Sequence, residues 1–177
     1  MQTLKLDNKP SVKGRQPFVY NGNTVYEWEQ SLEEIFIYVK APDCILEKNR
    51  EEVKRNLQPG QQAPKIEVKF TPTHLSFGLK GLPCYLDEDL MHKVKSSESF
   101  WQMDDGEITI TLIKAIKAET WLSVFKNHDQ LNHFQKEEMQ KKMLLERFQE
   151  EHGGFDFSDA EVSGNVPDPR TFLGGIK

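Results

Sequence analysis

Val25-Tyr26-Glu27-Trp28-Glu29-Gln30 alternates side by side, with Tyr26 and Trp28 pointing one way and Glu27 and Glu29 the other. That period of two belongs to a half-buried β-strand. The same pattern continues outward. In Leu32–Lys40, Ile35, Ile37 and Val39 share one face, and Phe36 and Tyr38 share the other with Glu34 and Lys40. Ile66, Val68 and Phe70 alternate with Lys65, Glu67 and Lys69, and Leu75, Phe77 and Leu79 mark a strand over His74–Lys80. Cys84–Leu86, Leu90–Lys95 and Ser99–Met103 read as short strands, with Asp87-Glu88-Asp89 as a turn. Asp105-Gly106 is a hairpin turn signal, and Glu107–Ala115 follows it with Ile108, Ile110 and Leu112 on one face. About eight short strands at this spacing predict an antiparallel β-sandwich. Too few helices lie between them for a parallel α/β sheet.

Polar segments surround this array. Within 24–41 and 65–115, 31 of 69 residues are apolar, against 34 of 108 elsewhere, so the sandwich itself has an ordinary core composition. Residues 1–23 carry four basic residues, one acid and the breakers Pro10, Pro17 and Gly22. They read as a flexible basic arm whose Phe18-Val19-Tyr20 end can pair as an edge or dock. Residues 42–64 form an insertion in the domain 24–117, with helical character over Asp43–Leu57 and Asp43 as a candidate N-cap.

After Ala115 the period changes, giving a helical region 118–165. Trp121, Leu122 and Phe125 fall on one helical face. The longest helix is expected over Phe134–Glu151, with an apolar stripe of Met139, Met143, Leu144 and Phe148. Gly153-Gly154 is expected to cap it, and an aromatic-acidic motif, Phe155-Asp156-Phe157, follows. The tail 166–177 reads as mobile. The expected fold class is mainly β: an antiparallel sandwich followed by a C-terminal helical extension.

Composition narrows the function. Lys+Arg is 23 and Asp+Glu 28 in 177 residues, a net charge of −5, with no basic stripe, so nucleic acid is not an expected partner. No apolar run approaches the ~20 residues of a membrane span, and the N-terminal stretch has no signal-peptide core. Two cysteines, Cys44 and Cys84, form neither a disulfide framework nor a metal knuckle. A reducing compartment is expected.

No catalytic constellation emerges. Ser76 and Ser123 lack the glycines of a nucleophile elbow. The five histidines are scattered and read as surface residues. The acidic pairs read as solvated turn residues and lack calcium-loop spacing. Neither catalysis nor a cofactor or metal is expected, and a binding module is favoured. The candidate contact residues are Phe36, Tyr38, Lys69, Lys80, Trp101, Phe148, Phe155 and Phe157. Each has a plainer reading. Phe36 and Tyr38 pack between sandwich and helix, Trp101 belongs to the core, and Lys69 and Lys80 are solvated strand residues. Phe155-x-Phe157 folds back over a sheet face as a clasp, either for stability or as a displaceable cover.

Trp28-Glu29-Gln30-Ser31-Leu32-Glu33-Glu34-Ile35-Phe36-Ile37 resembles the opening strands of the CS domain. Phe77–Pro83 and Ser99–Gly106 resemble its middle and closing strands. The block Met139–Glu151 followed by Gly154–Asn165 is similar to the tail of short members of the nuclear distribution protein C (NudC) family, the NudC-domain-containing protein 2 type. The resemblance spans about residues 24–165. It implies a CS β-sandwich without catalysis or cofactor. It also implies a co-chaperone that binds and stabilises client proteins, β-propeller proteins among them, with the ninety-kilodalton heat-shock chaperone as a partner. The implied location is cytoplasmic, with nuclear, centrosomal or spindle association. The alternative is an adaptor of the dynein, centrosome or mitotic machinery acting through the C-terminal helix. The segment Pro42–Pro64 is longer than the family's usual connection.

Overall fold

The alternating stretch around Trp28 forms β2 (Asn23–Gln30), with Tyr26, Trp28 and Gln30 as its buried face. In the computed structural model, which describes residues 14–176, eight strands make two antiparallel sheets. One sheet runs β1 (Gln16–Tyr20), β2, β3 (Glu34–Lys40), β8 (Glu107–Ile113), β7 (Phe100–Asp104). The other runs β4 (Ile66–Thr71), β5 (His74–Leu79), β6 (Leu86–Asp89). Register places Ile35 opposite Leu112, Ile37 opposite Ile110 and Val39 opposite Ile108. These six side chains are buried in one core with Leu75, Phe77 and Leu86 of the second sheet. Burying each such side chain fully is worth about 1.5–3 kcal/mol. The sandwich is therefore held by the alternation that predicts it.

The Phe18-Val19-Tyr20 end of the basic arm pairs as an edge strand, one of the two outcomes its sequence allows. β1 pairs with β2, and Phe18 stacks on Tyr26 and on His128, 4.0 Å away. The rest of the arm, residues 1–13, lies outside the described residues. Several segments depart from the sequence reading. The strand expected at Cys84–Leu86 is instead Leu86–Asp89, so the three acids are strand residues rather than a turn. No strand forms over Leu90–Lys95. The amides of Leu90, Met91, Val94 and Lys95 donate to Thr73, Val124, Pro72 and Ile113, so no single partner can build a ladder. Trp121, Leu122 and Phe125 lie in irregular chain rather than on a helix. There the amides of Lys126 and Leu131 bond to Asp89 and Leu122, and Trp121, Val124 and Phe125 are buried. In the insertion, the only α-helical turn pair is α1 (Arg50–Arg55), which buries nothing. Asn49 precedes it without a side-chain cap, so Asp43 does not cap it.

Gly78 on β5 shows how closely the chain packs at one end. A Cβ there would meet the Cys84 Cα at 3.0 Å and the Tyr85 amide nitrogen at 3.2 Å, both backbone atoms. Backbone cannot rotate away as a side chain can. Gly78→Ala is expected to cost about 1–3 kcal/mol through overpacking, seen as a lower denaturation midpoint with an unchanged slope. An unchanged midpoint would show that the 82–85 segment yields freely.

The helix α2 (His133–Glu151) starts at a capping box. The Asn132 side chain accepts the Gln135 amide, and the Gln135 side chain accepts the Asn132 amide. Met139, Met143 and Leu144 are buried and Phe148 is half-buried, as the stripe predicts. The expected glycine cap does not form. His152 leaves helical geometry at φ −133, and neither Gly153 nor Gly154 takes a positive φ. The tail is tethered rather than free. Arg147, only 4% exposed, donates to the carbonyls of Pro169, Phe172 and Gly175 at 2.8–3.0 Å and to Glu151 at 2.8 Å.

Lys114 joins the sandwich to α2. Its buried ammonium donates to Gln30 Oε1 (2.9 Å), the Ser31 carbonyl (2.7 Å) and the Glu119 carbonyl (2.9 Å), and touches Met143 Sδ at 3.6 Å. Gln30 in turn accepts the Trp121 amide and donates to the Trp121 carbonyl. Burial pulls Lys114 down to about 7, against the opposing pull of the Glu146 and Glu119 carboxylates.

Candidate functional site

The eight candidate contact residues do not converge. Phe36 and Tyr38 stack at 6.5 Å on the outer face of the five-stranded sheet, not between sheet and helix. Their face is already occupied by the chain itself. The Arg15 guanidinium lies 3.3 Å from the Tyr38 ring centroid. It forks onto Glu107 at 2.9 and 3.0 Å and reaches Glu27 at 3.5 Å. The Tyr38 hydroxyl donates to Glu29 at 2.7 Å, and Lys142 of α2 pairs with the same carboxylate at 3.1 Å. Burial pushes Tyr38 upward, and the Glu29 bond adds to it. For Glu29, burial acts upward, but the bonds from Tyr38 and Lys142 outweigh it and hold the carboxyl below its usual range. A face this internally satisfied offers a partner little.

Lys69 is exposed and pairs with Glu67 at 3.1 Å, and Lys80 is exposed at the strand end. Phe148 packs against Phe157 at 5.9 Å and Phe172 at 6.1 Å. Phe155 is 68% exposed. The motif therefore closes over the last turn of α2, beside His152, rather than over a sheet face. The chain reverses directly after the helix, with the Phe155 amide donating to the His152 carbonyl, which keeps the two aromatics at the helix end.

Trp101 is the candidate whose surroundings are open. It is 36% exposed on β7, with Phe100 at 49% and Met103 at 39%, so it is not a core residue. All five β7 residues are exposed. Among the described residues, β7 is the last strand of its sheet and pairs with β8 alone. Register places Trp101 and Met103 opposite Ile110 and Ile108, on the core-facing side, while Phe100 and Gln102 sit opposite Thr111 and Thr109. An edge strand leaves one row of amides and carbonyls unpaired, and an apolar one is a template for another strand. Sequence reasoning misses Phe100 and Met103, because apolar residues in a strand read as buried; the weak alternation over Phe100–Asp104 is the signal that could find them.

An apolar crevice of about 360 Å³ opens at the same end of the sandwich as the 104–107 turn. It is lined by Val39, Ala41, Ile66, Leu79, Leu82 and Tyr85 among others. The Ala41 amide bonds to the Gly106 carbonyl at 2.8 Å, which ties the crevice wall to the β7–β8 turn. At the far side, His74 lies between Asp89 and Asp87, 2.8 Å from each. Hydrogen bonds donated by the protonated ring, to Asp89 first and then to Asp87, hold its pKa above the usual histidine range. The pair stabilises fully below the ordinary histidine pKa and loses that contribution as pH rises through the raised one. At this exposure the effect is small. Among the described residues no cluster of His, Cys, Asp and Glu suits a metal ion, and no helix is long and apolar enough to cross a membrane.

The CS domain family model matches residues 24–114, from the second residue of β2 to the residue after β8. NudC domain-containing protein 2 from human, mouse and rat is 32% identical over 142 residues, covering 78% of this chain and 80% of that protein. The Drosophila melanogaster nuclear migration protein nudC is 30% identical over 108 residues, 59% of this chain but 28% of that protein. The solution structure of the CS domain of human KIAA1068 protein covers 75% of this chain and 93% of its own, at 15% identity and a TM-score of 0.47. The CS match runs from the Trp28 strand through Lys114, and the relatives extend it into α2. On that joint span of sandwich and helix, the chain belongs to the NudC family of CS-domain proteins.

Proposed function

We propose that this protein is a non-enzymatic co-chaperone that holds client proteins at the β7 edge, and that it works alongside the ninety-kilodalton heat-shock chaperone. The observation that carries the reading is the apolar edge formed by Phe100, Trp101 and Met103 on a CS sandwich, unpaired among the described residues. Partly folded proteins expose unpaired strands and apolar surface that aggregate. An edge strand satisfies both at once, by backbone bonds and by its side chains. Strand-rich clients such as β-propellers fit this contact best. Family membership supports the co-chaperone role and its cytoplasmic and nuclear setting. The adaptor reading has less support. The apolar stripe of α2 is spent on the chain's own core, and Arg147 is spent on the tail.

The test is thermal aggregation of a model client, followed by light scattering without ATP. A stoichiometric excess of the protein is expected to suppress scattering. Trp101→Lys puts a charge where natural edges carry one to repel strands. It is expected to abolish most of the suppression while leaving the melting temperature within a few degrees. Full suppression by that variant would remove β7 from the reading.

A further inference from the structure

The charges at the two ends of β7 carry the reading further, to the kind of segment it accepts; this rests on β7 being the client edge. We propose that β7 selects extended apolar segments by polarity, taking those with Lys or Arg at the N-terminal end and acids at the C-terminal end, laid antiparallel.

At the C-terminal end of β7, Asp104 and Asp105 are exposed and have no charged partner among the described residues. Asp104 also stands opposite Glu107 in the ladder, so the end is acidic on both strands, and Arg15 is already engaged with Glu107. The other end is basic. Ser99 Oγ donates to the Lys95 carbonyl at 2.9 Å, which brings Lys95 to the start of β7, and exposed Lys93 lies two residues before it. Glu98 answers only one of these, pairing with Lys95 at 3.7 Å. An antiparallel partner sets its N-terminus beside the acids and its C-terminus beside the lysines. Opposite charges then face each other at both ends, and reversing the partner's charges sets like against like, which is destabilising across strands. Antiparallel pairing is also the better pairing per residue. Between the ends, the partner's alternate side chains fall beside Trp101 and Met103 on one face and Phe100 and Gln102 on the other.

The probe is a pair of peptides of identical composition, Lys-Lys-Val-Thr-Val-Thr-Val-Asp-Asp and Asp-Asp-Val-Thr-Val-Thr-Val-Lys-Lys, titrated into the full chain. Neither contains tryptophan, so the protein's own fluorescence reports. Trp28 and Trp121 are buried, and Trp101 alone of the three is exposed enough to shift to the blue when covered. The first peptide is expected to bind with a blue shift and about tenfold more tightly than the second. That ratio should collapse toward one at about 0.5 M salt. Asp104→Lys with Asp105→Asn should lower the preference or invert it; asparagine is chosen because position 105 has φ 45. Equal affinities at low salt, a preference unmoved by that variant, or amide protection at β1 instead of β7 would overturn the inference. So would a protein already paired with itself through β7, seen as a dimer by sedimentation with 100–104 protected. If Trp101→Lys loses client holding but the two peptides bind alike, the function stands and the polarity fails. If that variant holds clients normally and neither peptide binds, both fail.

Discussion

Lys114→Met is expected to lose about 2–4 kcal/mol of folding stability while the sheet signal in circular dichroism persists. Methionine keeps most of the volume but donates nothing. Gln30 Oε1 retains the Trp121 amide, whereas the Ser31 and Glu119 carbonyls lose the ammonium inside the protein. A buried acceptor without a partner costs about 1–3 kcal/mol. The pH dependence gives a second readout with a definite sign. Lys114 titrates at about 7 in the folded chain, because burial disfavours its charge. An unfolded lysine titrates at about 10.4, so between these values the unfolded state binds the extra proton and stability rises with pH. Its slope is at most about 1.4 kcal/mol per pH unit, and it flattens below the folded pKa. The stability difference between the protein and Lys114→Met should therefore widen from pH 7 to 10. A difference that is constant over that range would show an ammonium fully stabilised by its three oxygens.

The second large effect concerns the tail. Arg147→Ala removes the donor to the Pro169, Phe172 and Gly175 carbonyls and the partner of Glu151. Those carbonyls lose about 1–3 kcal/mol each if they stay buried. Detaching the segment rehydrates them, so the tail is expected to come away rather than the domain to unfold. Limited proteolysis should then cut within 160–176 about tenfold or more faster, because cleavage follows the open population. The global melting temperature should fall much less than in Lys114→Met. A cooperative loss of the whole fold would instead place the tail inside the core's cooperative unit.

Both residues show where sequence reading stops. Alternation gives β2, β3, β4, β5 and β8 to within two residues at each end, because one buried face leaves a period of two. Lys114 and Arg147 carry no such mark, since a lysine ending a strand and an arginine on a helix read as solvated. Only the third dimension brings carbonyls from separate segments to each of them. β1 is legible as a segment able to pair at an edge, but not as a definite strand. Asn21-Gly22 is the strongest short hairpin signal, and both residues take positive φ, 50 and 77, as Asp105 and Gly106 do. The polar, basic composition before it leaves pairing and docking both open. Trp121, Leu122 and Phe125 fit a helical spacing, yet their segment spends its backbone bonds on Asp89 and Met91. Tertiary partners there overrode a local period. Spacing alone makes His128 a surface residue, but its Nδ1 lies 2.7 Å from the Tyr26 hydroxyl and its ring stacks on Phe18. Burial holds it below the usual histidine range. Among the candidate contacts, Trp101 was legible as a residue but its exposure was not. Strand order, which no spacing encodes, puts β7 at an edge.

Hydrogen exchange of the full chain, with and without a heat-stressed client at stoichiometric ratio, tests the β7 contact most directly. The amides of 100–104 are expected to become protected, with little change in β1 and α2. Protection confined to α2 or to the 155–176 segment, with 100–104 unchanged, would contradict it.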